Sequence, residues 1–403
     1  MKPVTTSLPF GAPHTLGFSS DRLRRIGTAL NAEIAASALP GAVVAIAREG
    51  KLAYHEAFGH LDPAARTPMP KDALFSIASM TKPLTSVGAL MLYEEGRLMV
   101  NEPVARYLPQ LARMRVGAPG CDGSPGTTVE VEREMTIQDL MRHTAGVSYG
   151  RGDTPLHKIY PISSTWSAAN WSGSEFIERL GALPLHYQPG SAWEYSFGLD
   201  VLGLVVEKIA GMPLRQYLDD RVFAPLGMSD TGFVVPPADL GRYAKTLPQD
   251  PLTREPQAVR DGTKLHKFDC GGGCAISTAM DYLRFAQMLL NGGELDGARI
   301  LARKTVEYMT ADHLGPEVDT TRLREYPNIN GYGFGLGVAV RRGAGISGVM
   351  SSRGEFHWAG STGTYFWVDP AEALTVVFMA HAPGAIRYYH RQLLHALVLQ
   401  ALI

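Results

Sequence analysis

The spacing of apolar residues along the chain predicts several helices. Near the N-terminus, Leu23, Ile26 and Leu30 follow one another at intervals of three and four residues, with Ser20 before them as a candidate cap. The same spacing predicts helices in five further segments, which are residues 79–94, 136–143, 199–210, 279–290 and 386–403. The segment 199–210 is apolar nearly all round, which is typical of a buried helix.

Short apolar runs near both ends of the chain predict strands. Residues 42–47 and 52–58 flank Glu49-Gly50 and are typical of a hairpin. Four further strands are predicted near the C-terminus, over residues 333–340, 355–358, 364–368 and 374–380. Strands at both ends around a helical middle indicate an α+β fold, in which one antiparallel sheet is built from both termini and flanked by helices.

This order of elements also predicts two structural units. Residues 1–75 and 276–403 would form the sheet domain, and residues 76–275 would form an inserted, mostly helical lobe. A site at the seam between the two lobes would be typical of such an arrangement. Two long stretches rich in Gly and Pro, residues 116–127 and 235–268, are predicted to be loops that flank the binding cleft.

Composition narrows the classes of function. The chain has 403 residues, of which 45% are hydrophobic and 19% charged, and its net charge is −1. A chain with so little net charge gives no electrostatic reason to bind nucleic acid. It contains no run of 18 apolar residues that would predict a membrane span, and its first residues lack the apolar region of a signal peptide. These features predict a cytoplasmic protein.

Three cysteines, Cys121, Cys270 and Cys274, are too few to predict a disulfide framework and fit a reducing compartment. Cys270-Gly-Gly-Gly-Cys274 could be half of a metal site, but no second pair or suitably spaced histidine completes it in the sequence. We therefore predict no metal and no cofactor, and interpret these residues as a tightly packed turn.

The most informative short motif is Ser79-Met80-Thr81-Lys82, at the start of the predicted helix 79–94. A lysine three residues after a serine lies one turn along, with the two Cβ atoms about 5–6 Å apart. Burial can lower the pKa of the lysine until the neutral amine takes the serine proton. The helix N-terminus would favour a developing oxyanion beside Ser79.

Acyl transfer through a serine needs a second proton-handling group and oxyanion donors. Tyr195 precedes the apolar helix, and a phenol beside a cationic lysine can lose its proton more easily and return it to the leaving alcohol. Trp358-Ala359-Gly360-Ser361 lies on a predicted C-terminal strand. A strand running past the nucleophile could present the Ser361 N–H as an oxyanion donor beside the Ser79 N–H.

In chain order, S-x-x-K at 79–82, Y-S-x at 195–197 and W-x-G at 358–360 resemble the motifs of family VIII carboxylesterases. These enzymes share the fold of class C β-lactamases and DD-peptidases. Three further blocks of the chain are similar to blocks of that superfamily, namely residues 140–146, 223–231 and 271–278. The resemblance implies that Ser79 is the nucleophile, that Lys82 is its base, and that Tyr195 activates Ser79 and protonates the leaving alkoxide. It also implies an oxyanion hole formed by the N–H groups of Ser79 and Ser361.

Two departures from the superfamily pattern bear on the substrate. Phe197 stands where β-lactamases and peptidases usually carry an asparagine that hydrogen-bonds the substrate amide. Trp358 stands where they usually carry a lysine that helps to hold the substrate carboxylate. The resemblance therefore implies a serine carboxylesterase acting on small to medium neutral esters, with Phe197, Trp358 and Gly360 around the substrate, and with acyl transfer or weak β-lactamase activity beside hydrolysis.

The sequence leaves alternative functions open. A β-lactamase or DD-peptidase would require retained amide hydrolysis, and a non-catalytic binding module would have no use for Ser79, Lys82 and Tyr195 together. Gly146-Val147-Ser148-Tyr149-Gly150 matches G-x-S-x-G, the nucleophile elbow of α/β-hydrolases, which requires a sharp turn from strand to helix. A helix is predicted before Ser148 and none obviously follows it, so we interpret this match as accidental. His143 and Asp200 are interpreted as structural, and His357 is left out of the catalytic set because it points to the opposite strand face from Trp358.

Overall fold

The computed structural model describes residues 7–124, 126–326 and 329–403. Its helices in chain order are α1 (Ser20–Ala35), α2 (Thr81–Glu94), α3 (Ile137–Met141), α4 (Pro155–Ile159), α5 (Ser164–Asn170), α6 (Gly173–Gly181), α7 (Gly198–Ala210), α8 (Leu214–Leu218), α9 (Ala279–Leu290), α10 (Arg303–Met309), α11 (Thr321–Glu325) and α12 (Arg387–Leu399). Its strands are β1 (Gly41–Arg48), β2 (Lys51–Asp62), β3 (Thr67–Pro68), β4 (Phe75–Ser76), β5 (Val116–Gly117), β6 (Thr128–Val129), β7 (Ile276–Ser277), β8 (Glu294–Leu295), β9 (Ala298–Arg299), β10 (Tyr332–Phe334), β11 (Ala339–Arg341), β12 (Phe356–Ala359), β13 (Tyr365–Asp369) and β14 (Leu374–Ala380).

Strands from the two ends of the chain form an eight-stranded sheet in the order β10-β11-β12-β13-β14-β1-β2-β3. Its neighbouring strands pair antiparallel, and β1 pairs with β14 from Ala42 opposite Ala380 to Arg48 opposite Leu374. The N-terminal hairpin is therefore joined to the C-terminal strands at the centre of the sheet. This confirms the predicted α+β fold with one antiparallel sheet completed by both termini.

Helices cover both faces of this sheet. On one face, α1 and α12 contribute Leu23, Ile26 and Leu394 to an apolar core shared with β1 and β14. On the other face, α9 packs against β1, β13 and β14, and the core there continues into the helical region through α2 and α7. A strand that is covered on both faces carries apolar side chains at nearly every position, which explains the composition of β1 and β14. The boundary between a sheet domain and a helical lobe at residues 75/76 and 275/276 stays a prediction.

One predicted strand is wrong. Residues 333–340 form two short strands, β10 and β11, which pair antiparallel with Gly333 opposite Val340. Gly337 in the connecting turn has a φ of 89°, a value that favours glycine. A Cβ atom there would lie 2.4 Å from the hydroxyl of Ser86 on α2, so the turn and the helix approach closely. The sequence showed the apolar run but not the turn inside it.

Two features of the helices also bear on the sequence predictions. The N-cap of α1 is Ser19, whose hydroxyl accepts from the Arg22 N–H at 3.3 Å, one residue before the predicted cap. Across the three described ranges, the structure contains no helix of the length and apolar character needed to cross a membrane.

Candidate active site

Ser79 lies in a 3-10 turn, Ala78–Met80, that leads directly into α2. The preceding residue, Ala78, has a φ of 43°, in the left-handed region that non-glycine residues rarely adopt. Two hydrogen bonds hold the turn against the strand that follows the helical region: the Ile77 N–H donates to Ala275 O at 3.0 Å, and the Ala275 N–H donates to the Thr81 hydroxyl at 3.0 Å. The nucleophile candidate is therefore presented by a rigid turn at the start of a buried helix.

The Lys82 side chain is fully buried and points back to Ser79. Its Nζ lies 3.3 Å from Ser79 Oγ, 2.6 Å from the carbonyl oxygen of Gly272 and 3.4 Å from the hydroxyl of Tyr149. A neutral amine has two N–H donors and one lone pair. With one N–H directed to Gly272 O and the other to Tyr149, the lone pair is left for the proton of Ser79.

Burial lowers the pKa of Lys82 to about 7, although the carboxylate of Asp200 opposes this shift. A base works best when its pKa lies near the working pH. Lys82 can therefore be neutral at neutral pH while remaining basic enough to remove a proton from Ser79.

Tyr195 lies next to both Ser79 and Lys82. Its hydroxyl interacts with Ser79 and accepts from Trp358 Nε1 at 3.4 Å, and the centre of its ring lies 4.6 Å from Lys82 Nζ. Burial raises the pKa of Tyr195, the opposite of the direction we expected from a neighbouring lysine. In the resting site the phenol is therefore a proton donor, and the amine of Lys82 is the group prepared to act as a base.

Tyr149 is a site residue that the sequence analysis did not identify. Its hydroxyl lies 3.4 Å from Lys82 Nζ and 2.9 Å from Ser164 Oγ, which in turn donates to Asp200 Oδ2 at 2.7 Å. Asp200 also accepts from the Gly272 N–H at 2.9 Å, and so it anchors the backbone whose carbonyl holds Lys82. Tyr149 belongs to the G-x-S-x-G match, so the informative residue of that match was the tyrosine rather than Ser148.

The structure places the segment Trp358–Ser361 beside Ser79. The hydroxyl groups of Thr362 and Thr364 donate to Ser76 O at 2.6 Å and Ile77 O at 3.2 Å, which fixes the end of β12 against the residues before Ser79. Within the described residues, the Ser361 N–H has no acceptor, so it remains available to a substrate oxygen. Trp358 is 4% exposed and packs 5.3 Å from the ring of Tyr195.

Arg391 of α12 contacts the end of the segment Trp358–Ser361 and the residues just after it. The sequence pattern did not indicate this contact. Its guanidinium donates to the carbonyl oxygens of Gly360 and Thr364. The Gly360 carbonyl and the Ser361 N–H belong to one peptide group. A cation on the carbonyl polarises that peptide and strengthens its N–H as a donor. Burial, followed by repulsion from Arg387, lowers the pKa of Arg391 to about 10.

Phe197 is not brought to the cleft, contrary to its prediction as a substrate-binding residue. Its side chain is fully buried, with its ring 4.3 Å from that of Tyr149 and 5.3 Å from that of Phe176. It supports Tyr149 from the core side. The Y-S-x motif showed that position 197 lacks the asparagine amide of β-lactamases. It did not show that the Phe197 side chain points into the core.

A cavity of about 430 Å³ opens above Ser79. Besides Ser79, Glu194, Tyr195, Trp358 and Ser361, its walls include residues of the ranges 148–165, 322–329 and 387–391, as far as these are described. Neither predicted loop, 116–127 or 235–268, contributes a described residue to these walls. The long loops were recognisable from Gly and Pro content, but which loop faces the nucleophile depends on how the helices pack.

Ser148 does not have the surroundings of a nucleophile. It is buried, and its hydroxyl donates to Glu194 Oε1 and to the Tyr149 carbonyl at 3.1 Å. Glu194 Oε1 also lies 2.9 Å from His157 Nε2. In the Ser-His-carboxylate arrangement of hydrolases the imidazole lies between the serine and the carboxylate. Here the carboxylate lies between them, so the imidazole cannot take the serine proton.

Among the residues that the structure describes, two groups of side chains bring possible metal-ligand atoms within 4.8 Å of one another. One consists of His157, His186 and Glu194, and the other of His266, Cys270 and Cys274. In the second group the structure joins Cys270 and Cys274 in a disulfide with Cα atoms 5.2 Å apart, contrary to our expectation from three sparse cysteines. His266 Nδ1 lies 3.1 Å from Cys274 Sγ, so a suitably placed histidine does exist four residues before Cys270. Serine acyl transfer requires neither group.

The chain is similar to several known proteins over most of its length. The beta-lactamase family model matches residues 28–399 of the chain. The chain is 36% identical over 358 residues to protein Rv1367c of Mycobacterium tuberculosis. The aligned region covers 86% of this chain and 87% of that protein. It is 32% identical over 367 residues to esterase EstB of Burkholderia gladioli, with 85% and 86% covered. Among solved structures, EstCE1, a hydrolase with promiscuous acyltransferase activity, superposes with a TM-score of 0.76 at 25% identity and covers 95% of this chain and 98% of its own.

Proposed function

Because the chain belongs to the beta-lactamase family, we propose that it hydrolyses carboxylic esters through an acyl-enzyme on Ser79. It is a serine ester hydrolase, as its similarity to esterases over most of its length supports. The observation that carries the assignment to Ser79 is the buried amine of Lys82, 3.3 Å from Ser79 Oγ with a pKa of about 7. The predicted cytoplasmic location stays a prediction.

In the proposed reaction, Lys82 takes the proton of Ser79 as Oγ attacks the ester carbonyl. The N–H groups of Ser79 and Ser361 stabilise the oxyanion, and Arg391 strengthens the second donor through the Gly360 carbonyl. The Tyr195 hydroxyl gives its proton to the leaving alkoxide. Lys82 then passes the proton it took from Ser79 to the Tyr195 oxygen, so both groups return to their resting protonation states. Water then attacks the acyl-enzyme and gives a proton to Lys82, which returns it to Ser79 Oγ as the carboxylic acid leaves. An alcohol that attacks in place of water gives up its proton in the same way and leaves as a new ester.

The side chains around the nucleophile favour esters over amides. Position 197 supplies no amide to hydrogen-bond a substrate amide, since Phe197 lies in the core. Trp358 supplies an indole N–H that is engaged with Tyr195 rather than a cation for a β-lactam carboxylate. Each lost hydrogen bond to a charged or polar substrate group costs about 1–3 kcal/mol.

Parallel assays test this proposal. We expect kcat/KM for p-nitrophenyl butyrate to exceed that for nitrocefin by at least about tenfold, because position 197 supplies no hydrogen bond to the substrate amide. Comparable turnover of both compounds would support the β-lactamase alternative. Absence of ester turnover, with no labelling by a fluorophosphonate probe, would support the non-catalytic alternative.

The proposed role of Arg391 predicts an effect on kcat. Arg391→Gln should lower kcat for p-nitrophenyl butyrate by about 10–100-fold with little change in KM, since the oxyanion contact is strongest in the transition state. Affinity for a trifluoromethyl ketone, which forms a tetrahedral adduct, should fall by a similar factor. Arg299→Gln, which removes an exposed arginine paired with Glu294, is the matched control. A raised KM with unchanged kcat would contradict the role.

A further inference from the structure

The cleft above Ser79 has more positive than negative side chains in its walls. The charged lining residues are Arg151, Arg322, Arg387, Arg391, Glu194 and Glu325. Net charge in a partly enclosed, low-dielectric cleft focuses the electric field and concentrates ligands of opposite charge. The positive charge that a ligand meets depends on which of these side chains already form ion pairs within the protein.

The two carboxylates of the cleft are engaged with other groups. Glu325 lies 3.8 Å from Arg322, and Glu194 accepts from Ser148 and lies 2.9 Å from His157. In the part of the chain that the structure describes, no carboxylate forms an ion pair with the remaining three arginines, which are Arg151, Arg387 and Arg391. Four arginines against two glutamates leave the walls of the cleft with an excess of two positive charges.

These three arginines differ in how free their donors are. Arg391 is buried, and its guanidinium donates to the carbonyls of Gly360 and Thr364. Arg387 donates to two carbonyl oxygens and to the hydroxyl of Tyr388, which leaves it charged but partly occupied.

Arg151 has the freest guanidinium of the three. It is exposed and lines the cleft, and its Nε donates to Ile162 O at 2.9 Å. Within the described residues, no hydrogen bond or ion pair uses its two terminal nitrogens. Its guanidinium carbon lies 5.7 Å from the ring centroid of Tyr149, whose hydroxyl is 3.4 Å from Lys82 Nζ. One tyrosine side chain therefore separates the Arg151 cation from the catalytic amine.

From this arrangement we infer that the cleft binds an ester that carries a carboxylate, held by Arg151 with support from Arg387. The inference rests on the proposed function, because it names the substrate class of the same site. A terminal guanidinium can bind a carboxylate with two parallel hydrogen bonds, which gives both affinity and orientation. The expectation of a neutral ester considered only positions 197 and 358, whereas the charges lie on residues that no family motif contains.

A matched pair of esters tests the inference. In p-nitrophenyl hemisuccinate a carboxylate replaces the terminal methyl group of p-nitrophenyl butyrate, so the acyl groups have the same length. We expect kcat/KM for the hemisuccinate, after subtraction of its spontaneous hydrolysis, to be at least tenfold higher at low salt. The advantage should shrink in 0.5 M NaCl, because salt screens the attraction. A second pair, 4-acetoxybenzoate and its methyl ester, places the charge on the alcohol side.

Variants then locate the contact. Arg151→Gln should remove most of the preference for the anionic ester and leave kcat/KM for p-nitrophenyl butyrate within about threefold, and Arg387→Gln should remove a smaller part. Arg299→Gln makes the same charge change away from the cleft and should alter neither. Equal or lower kcat/KM for the anionic ester in both pairs would overturn the inference while leaving the esterase proposal intact. Failure to hydrolyse any of the four esters would overturn both.

Discussion

Replacing Ser79 by alanine should lower kcat for p-nitrophenyl butyrate by roughly 10⁴-fold or more. Removal of the nucleophile leaves only the contribution of binding and of the oxyanion donors, because the groups of such a site act as a unit. Ser79 is partly exposed at the cleft, and its hydroxyl contacts Lys82 and Tyr195. The substitution removes few packing contacts, so the melting temperature of the variant should stay close to that of the wild type.

Ser148→Ala is the matched control for this prediction. It removes the serine of the competing G-x-S-x-G match and leaves the Ser79 site as it is. We expect most ester turnover to remain, with some loss of stability because Glu194 loses a buried hydrogen bond. If the Ser148 variant were inactive and the Ser79 variant active, the assignment of the nucleophile would be wrong.

Replacing Lys82 by methionine should be nearly as severe, with a fall in kcat/KM of about 10³–10⁵-fold. Methionine fills a similar volume but supplies no base, and it leaves the carbonyl of Gly272 without its donor. The role of Lys82 also sets the pH dependence of the wild type. Since the base must be neutral and burial lowers its pKa to about 7, kcat/KM should fall tenfold per pH unit below 7 and level off above about pH 8.

Tyr195→Phe tests the role of Tyr195 as the acid independently of the role of Lys82 as the base. It keeps the ring that packs against Lys82 and Trp358 but removes the hydroxyl that would protonate the leaving alkoxide. The loss should be smaller for p-nitrophenyl esters, whose leaving group needs little protonation, than for alkyl esters. An equal loss for both kinds of ester would contradict the role of Tyr195 as the acid.

The pH profile tests Lys82 separately. If kcat/KM of the Lys82 variant still fell below pH 7 as it does in the wild type, the role of Lys82 as the base would be wrong.

The sequence was most informative where local pattern and global structure agree. The hairpin at 41–62 and the helices α7 and α9 follow directly from apolar spacing, and Ser79 and Lys82 are brought together by helical geometry alone. Tyr195 and Ser361 were named from the chemistry that a serine nucleophile needs and then from the family resemblance. Local pattern does not predict their contacts with the Ser79 site, because those contacts join distant parts of the chain.

What the sequence missed depends on tertiary packing. Arg391 is one polar residue on the amphipathic helix α12, and only the packing of that helix behind β12 brings it to the Gly360 carbonyl. Tyr149 acts through its contact with Lys82, 67 residues away in the chain. The inward direction of Phe197 and the disulfide between Cys270 and Cys274 likewise depend on the neighbours of each residue.

The central claim is that Ser79 becomes acylated, and the most direct measurement is to find the modified residue. The protein would be treated with a fluorophosphonate, digested, and the adduct located by tandem mass spectrometry, with the Ser79→Ala variant treated in parallel. We predict one adduct, on the peptide that contains Ser79, and none on the variant. An adduct on Ser148 or on any other residue of the wild type, or undiminished labelling of the variant, would contradict the account.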